Sequence, residues 1–367
     1  MQWRNELKYN IQSIEELQKY TRLSAKEKEK LQKVIDKHPM SITRYYLSLI
    51  DWSNPNDPIR KMAIPSVEEL NLMGSYDPSD ERANTKMPGL QHKYVPTALI
   101  LATNRCPMYC RYCFRKRLVG LSTKEIMLRF SNAVKYVDSH KEINNVLISG
   151  GDPLMLSTRL IAGFLEKLAT IEHLDFIRFG TRVPVTFPQR ILSDESLIDL
   201  FREYTQSGKK RTYIVTQFNH PKEFTKSFID AINALTKAGL VVSNQMTLLK
   251  GVNDDPNIIA DAHKKLTQIG VNPYYVFQCR PVKRVKHSFQ VPLYRGMKIV
   301  NEASKLLNGH SKRFRYVMSH RTGKIEILGI IDDKIYLKYH EAKNPKDIGR
   351  LFARPINKKA GWLDELN

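Results

Sequence analysis

The sequence predicts an α/β fold: a partial (βα)6 barrel, open on one side, with a helical N-terminal extension and a small C-terminal β element. Three observations carry this. Six short apolar runs recur from residue 97 onward, segments of helical spacing lie between them, and a different block follows residue 309. The runs are TALILAT (97–103), NVLISG (145–150), FIRFGT (176–181), TYIVTQF (212–218), LVVSNQM (240–246) and YYVFQC (274–279). Apolar strands separated by helices pair in parallel through right-handed crossovers. A doubly wound sheet is the alternative that spacing leaves open. The chemistry then belongs at the carboxyl ends of the strands, where the following loops begin.

Residues 1–96 are predicted as the extension: IEELQKY and AKEKEKLQKVIDKH read as polar helices, and an irregular Pro-rich stretch runs to about Pro96 with no strand pattern. Residues 97–309 form the barrel. Its helices include STRLIAGFLEKLATI, FIDAINALTKAGL and IIADAHKKLTQIG, the last two with glycines placed to cap them. Residues 310–367 carry FRYVMS, KIEILGII and DKIYLKYH, three short strands with a turn at Asp332–Asp333. This element is expected to cover one mouth of the barrel.

The 367 residues are 42% hydrophobic, enough for a large core. No run approaches a membrane-spanning helix, and the opening MQWRNELKYN lacks a secretory core, so a cytoplasmic protein is expected. Lys and Arg number 59 against 37 acids, a net +22. That charge suits small anions, an acidic protein or nucleic acid. Nucleic acid is disfavoured, because no appended module and no basic strand with interleaved aromatics is present.

Three of the four cysteines fall within CPMYCRYC, residues 106–113, directly after the first predicted strand. Clustered thiols in such a chain argue for metal rather than disulfides. Cys106, Cys110 and Cys113 as ligands would leave one iron of a [4Fe–4S] cubane open, as a catalytic centre requires. S-adenosylmethionine (SAM) can fill that position through its amino and carboxylate groups. A three-cysteine zinc site and loose thiols are the alternatives. An aromatic Tyr112 and the turn SGGDP (149–153), one βα unit later, strengthen the cluster reading. Cys279 ends an apolar run and reads as a packed residue.

With these motifs the chain resembles the lysine 2,3-aminomutase family of radical SAM enzymes. The resemblance runs from about Asp77 to Tyr339 and rests on MPGLQHKY (87–94), CRYCFRKR (110–117), LISGGDPL (147–154), FPQRI (187–191), QFNHP (217–221), SNQMTLLKGVND (243–254) and PYYVFQC (273–279). It implies a cluster, SAM and pyridoxal 5′-phosphate (PLP), and a radical shift of an α-amino group to the adjacent carbon of a small amino acid. A reductant such as flavodoxin or ferredoxin would supply the electron. The family's role for the glycine turn falls on Gly150, Gly151 and Asp152, which would hold SAM's amino group. Tyr112 and Gln245, with Asn244, would border the cofactor. Lys324 in SHRTGKIEI takes the place of the PLP lysine, although only Gly323 stands where the family carries a glycine run. Lys93 would anchor the phosphate, with Thr97 where the family has a second cation. Arg115 would pair with the substrate carboxylate, while Arg111, Lys116 and Arg117 read as surface or interface cations. Larger family members use later cysteines for a zinc site between subunits; no cysteine follows Cys279, so a homo-oligomer would need other contacts.

Lysine-specific members hold the substrate's remote ammonium with two aspartates. This chain has Arg280 and Ser319 there. An unpaired buried ammonium costs several kcal/mol, and Arg280, Lys283, Arg284 and Lys286 would repel it. An acidic or neutral side chain is therefore expected, with Arg280 as its contact. L-lysine itself, or a protein or RNA modified without PLP, are the alternatives.

Overall fold

The computed structural model describes residues 3–205 and 210–366. Twelve strands form one sheet in chain order: β1 Thr85–Met87, β2 Leu90–Tyr94, β3 Thr97–Thr103, β4 Asn145–Gly150, β5 Phe176–Gly180, β6 Arg211–Thr216, β7 Val241–Leu248, β8 Asn272–Gln278, β9 Arg315–His320, β10 Gly323–Ile331, β11 Lys334–Ala342 and β12 Leu351–Pro355. From β3 to β9 every neighbour is parallel. The six predicted runs coincide with β3–β8 to within two residues at each end.

Alternation along these strands sorts the side chains. Ala98, Ile100, Val146, Ile148, Ile177 and Ile214 point outward into the hydrophobic core, with Ile161, Leu165 and Leu168 of helix Thr158–Ala169 and Phe228, Ile232 and Leu235 of helix Lys226–Lys237. Each of these side chains other than Ala98 contributes roughly 1.5–3 kcal/mol by leaving water, which holds the helices on the outside. Leu99, Leu147, Arg178, Gln245 and Phe277 point the other way, into a cavity. Gly239 and Gly270 end helices Lys226–Lys237 and Pro256–Gln268 with φ of 90° and 78°, the left-handed caps that glycine permits.

Three features depart from the sequence reading. The N-terminal extension is not purely helical: β1 and β2 form a hairpin that adds antiparallel to β3. Its short strands carry no alternation because β1 is exposed on one edge of the sheet. FRYVMS is β9, a seventh parallel strand beside β8, so the C-terminal strands continue the barrel sheet. A further edge strand, β12, pairs with β11. The hairpin turn at Asp332–Asp333 lies where predicted, with Asp332 at φ 52°.

Candidate active site

A cavity of about 340 Å³ occupies the barrel interior at the carboxyl ends of the strands. Cys106, Cys110, Cys113, Tyr112, Arg115, Gly150, Gly151, Asp152, Gln245, Arg280, Lys93 and Lys324 all line it. They come from seven strands and loops spread over more than 200 residues of chain.

The cysteine loop leaves β3 and folds back against the glycine turn after β4. Gly151 N–H donates to Thr103 O at 2.5 Å, and Asp152 N–H to Arg105 O at 2.8 Å. A Cβ on Gly150 would meet Thr103 O at 2.3 Å, and one on Gly151 would meet Arg105 O at 2.4 Å. The glycines thus let two backbone segments cross, and Gly150 adds a φ of 116° that side-chain-bearing residues rarely adopt. Asp152 is buried and its carboxylate is already engaged: it accepts from Thr181 Oγ1 (2.7 Å), Arg182 N (2.7 Å) and Leu154 N (3.1 Å). Those bonds lock the turn to the loop after β5. Burial pushes the Asp152 carboxyl above its usual range despite them.

The three cysteines are free thiols. Burial raises the thiol of Cys106 well above normal and that of Cys113 to about 11, so metal must displace protons to bind. Among the described residues no three His, Cys, Asp or Glu side chains converge on a point that would hold one ion. Arg182 Nη1 donates to Cys110 Sγ at 3.0 Å, and the same guanidinium pairs with buried Glu223 and Tyr46 Oη. Tyr112 is fixed beside them by Asn219 Nδ2 at 2.6 Å.

The cations of CRYCFRKR are not surface groups. Arg111 is 2% exposed and Lys116 4%, both bonded to the buried Glu69 carboxylate. The Arg117 side chain is 4% exposed, bound by Glu81 at 2.9 Å and Glu125 at 2.8 Å. Burial alone would raise the Glu81 carboxyl, but the charges of Arg115 (3.3 Å), Arg280 (3.5 Å) and Arg117 hold it near 2. Arg280 also lies over the Phe114 ring at 4.0 Å. Its expected partners in repulsion face elsewhere: Arg284 donates to Glu69 O, Lys286 pairs with Glu365, and Lys283 sits over Tyr76. Only Arg280 of that group lines the cavity.

Lys324 stands on β10, opposite Ser319 and Glu341, after a two-residue turn at Arg321–Thr322. Its ammonium pairs with Glu341 and lies 4.6 Å from the Tyr275 ring centroid and 5.7 Å from that of Tyr94. Lys93 Nζ donates to His320 O, and burial, then the charge of Arg280, lowers its ammonium to about 7. Gln91 Nε2, Arg115 Nε and Arg178 Nε are buried on this wall without a protein partner. Orphaned donors of this kind suit carboxylate or phosphate oxygens, as SAM, an amino acid or PLP would supply.

Asn244 turns away, bridging Phe218 N and O at 2.7 and 3.1 Å inside the wall. His220 caps a turn through Lys222 N rather than lining the cavity. Cys279 is buried, and burial lifts its thiol to about 12. The sequence reading missed Glu69, Glu81, Arg178, Arg182 and Glu341. Arg182 had a signal, since it follows a barrel strand at its carboxyl end; Glu69 and Glu81 sit in polar, patternless sequence.

Residues 100–262 match the Radical SAM superfamily. A protein of Aquifex aeolicus is 42% identical over 339 residues, covering 92% of this chain and 90% of its own length. L-lysine 2,3-aminomutase of Clostridium subterminale is 37% identical, covering 85% of this chain and 73% of the enzyme. Glutamate 2,3-aminomutase of Clostridioides difficile is 35% identical, covering 81% and 70%. With a superfamily match over the cluster and glycine loops, and kinship over most of both chains, this protein belongs to the L-lysine 2,3-aminomutase family of radical SAM enzymes.

Proposed function

We propose that the protein is a PLP-dependent amino acid 2,3-aminomutase, moving an α-amino group to the β-carbon of a substrate with an acidic or neutral side chain. The cluster and SAM would supply a carbon radical in this cavity, and PLP would carry the migrating nitrogen. Cys106, Cys110 and Cys113 would hold the cluster, with SAM against Gly150 and Gly151 and beside Tyr112 and Gln245. Lys324 is the amine placed to hold PLP, and the Glu341 carboxylate can take and return the proton at Lys324 Nζ. Arg115, whose Nη1 and Nη2 reach Ser149 and Glu81, lines the cavity and would meet a substrate carboxylate through its guanidinium. β9–β11 continue the wall around Lys324 and Glu341.

The observation that carries the substrate class is the saturation of Glu81. Three guanidiniums converge on its carboxylate, so it has no charge to offer an incoming ammonium. Arg280 beside it is available to an anion or indifferent to a neutral group. The test is anaerobic turnover on glutamate, aspartate, alanine and lysine with product mass spectrometry. Glutamate, aspartate or alanine should exceed lysine; faster turnover of lysine would overturn the substrate class. Lysine is the second reading, favoured by kinship to the Clostridium subterminale enzyme.

Lys93 gives a pH dependence. Its ammonium is charged below about 7 and neutral above. Its attraction for a phosphate should therefore be present below pH 7 and weaken as pH rises through that value. PLP affinity, followed by absorbance, should fall between pH 7 and 9 in the wild type and stay level in Lys93→Arg, whose guanidinium keeps its charge.

A further inference from the structure

The loop carrying Cys106, Cys110 and Cys113 has little regular structure, yet it is pinned along its length by residues from the N-terminal extension. Asn10 Nδ2 donates to Pro107 O at 2.8 Å. Tyr109 N–H reaches Ser41 O, and Arg111 N–H reaches Met62 O, each at 2.9 Å. The strongest pin is ionic. Glu69 accepts Arg111 Nε at 2.8 Å and Nη2 at 2.7 Å, a fork-to-fork pair, and Lys116 Nζ at 2.6 Å. Lys116 closes the circuit by donating to Arg111 O at 2.7 Å, and Arg111 Nη1 reaches Pro39 O at 3.0 Å. Glu69 is 1% exposed and is itself anchored, through Ser66 N at 3.2 Å and through its own carbonyl to Arg284.

We propose that Glu69 is a positioning residue for the [4Fe–4S] cluster: by gathering Arg111 and Lys116 from both sides of Cys113, it makes the N-terminal extension the clamp that sets cluster retention and redox poise. The residues bracket the cysteines closely. Arg111 follows Cys110 directly, and Lys116 stands three residues after Cys113. Ordering such a loop costs conformational entropy at every residue, and these outside contacts offset part of that cost and help to fix the spacing of the cysteines. The charges matter too. Two cations against one carboxylate leave one positive charge beside three thiolates, and removing the carboxylate would leave both cations buried without a counterion.

The test uses the reconstituted holoenzyme. Glu69→Gln keeps the shape and removes the charge. Its iron should be lost to a chelator about tenfold faster, the scale seen when groups supporting metal ligands are removed. The cluster's midpoint potential, from an EPR-monitored titration, should move positive, because a negative charge near the cluster is gone. Melting of the apoprotein separates this from ordinary destabilisation, which lowers Tm but leaves the potential in place. Wild-type iron release together with wild-type potential would overturn the proposal, whatever the Tm. Should Glu69→Gln fail to fold, Asn10→Ala decides: it removes one pin on Pro107, and faster iron release supports the clamp while a wild-type rate overturns it.

Discussion

Lys324→Ala should lose the visible absorption band that PLP gives on condensing with a lysine, and turnover should fall by about 10³-fold or more, as expected when a covalent anchor is removed. The amine stands on β10 in the cavity wall, held at Glu341 and flanked by Tyr94 and Tyr275. Iron content should stay at the wild-type level, because β10 takes no part in the cysteine loop. Alanine leaves Glu341 without its counterion, so Lys324→Arg is the companion variant. It preserves the ion pair but cannot form the carbon–nitrogen bond, and it should fold normally yet show no band. An absent band in the wild type as well would take PLP out of the reaction without touching family membership. A band that survives in both variants would move the anchor to another lysine, with Lys93 the nearest candidate in the cavity.

Arg280→Asp should exchange the preferred substrate charge. Arg280 is largely buried, stacked on Phe114 and joined to Glu81. An aspartate there would restore an acid beside the cavity, while Arg115 and Arg117 continue to neutralise Glu81. Against an acidic substrate, kcat/KM should drop roughly 10²-fold, the ~3 kcal/mol lost when a charged hydrogen-bond partner is removed. Against lysine it should rise. The measurement is the ratio of the two specificity constants in wild type and variant. An unchanged ratio would mean that Arg280 serves only Glu81 and does not read the side chain.

Much of this was legible in the sequence because it is local. CPMYCRYC and SGGDP are short motifs whose spacing is set by a single strand and loop, and the apolar runs of β3–β8 announce themselves by composition. The same reading assigned Arg111, Lys116 and Arg117 to the surface or an interface, since charged residues seldom lie buried. Their acids, Glu69 and Glu81, are 47 and 36 residues away from Lys116 and Arg117. A pair separated so far leaves no periodic trace; it exists only once the extension folds over the cysteine loop. β9 was misplaced for a related reason, as an isolated strand pattern does not say which edge it will join.

The sequence by itself determined the six apolar runs of the barrel, the clustered cysteines and the glycine turn, because each is written in a contiguous stretch of residues. Only the tertiary structure decided the charge of the cavity. Burial makes an unpaired ion costly, so Arg111, Arg115, Arg117 and Arg280 had to find their acids across the fold, and those pairings determine which charges are left to face a substrate.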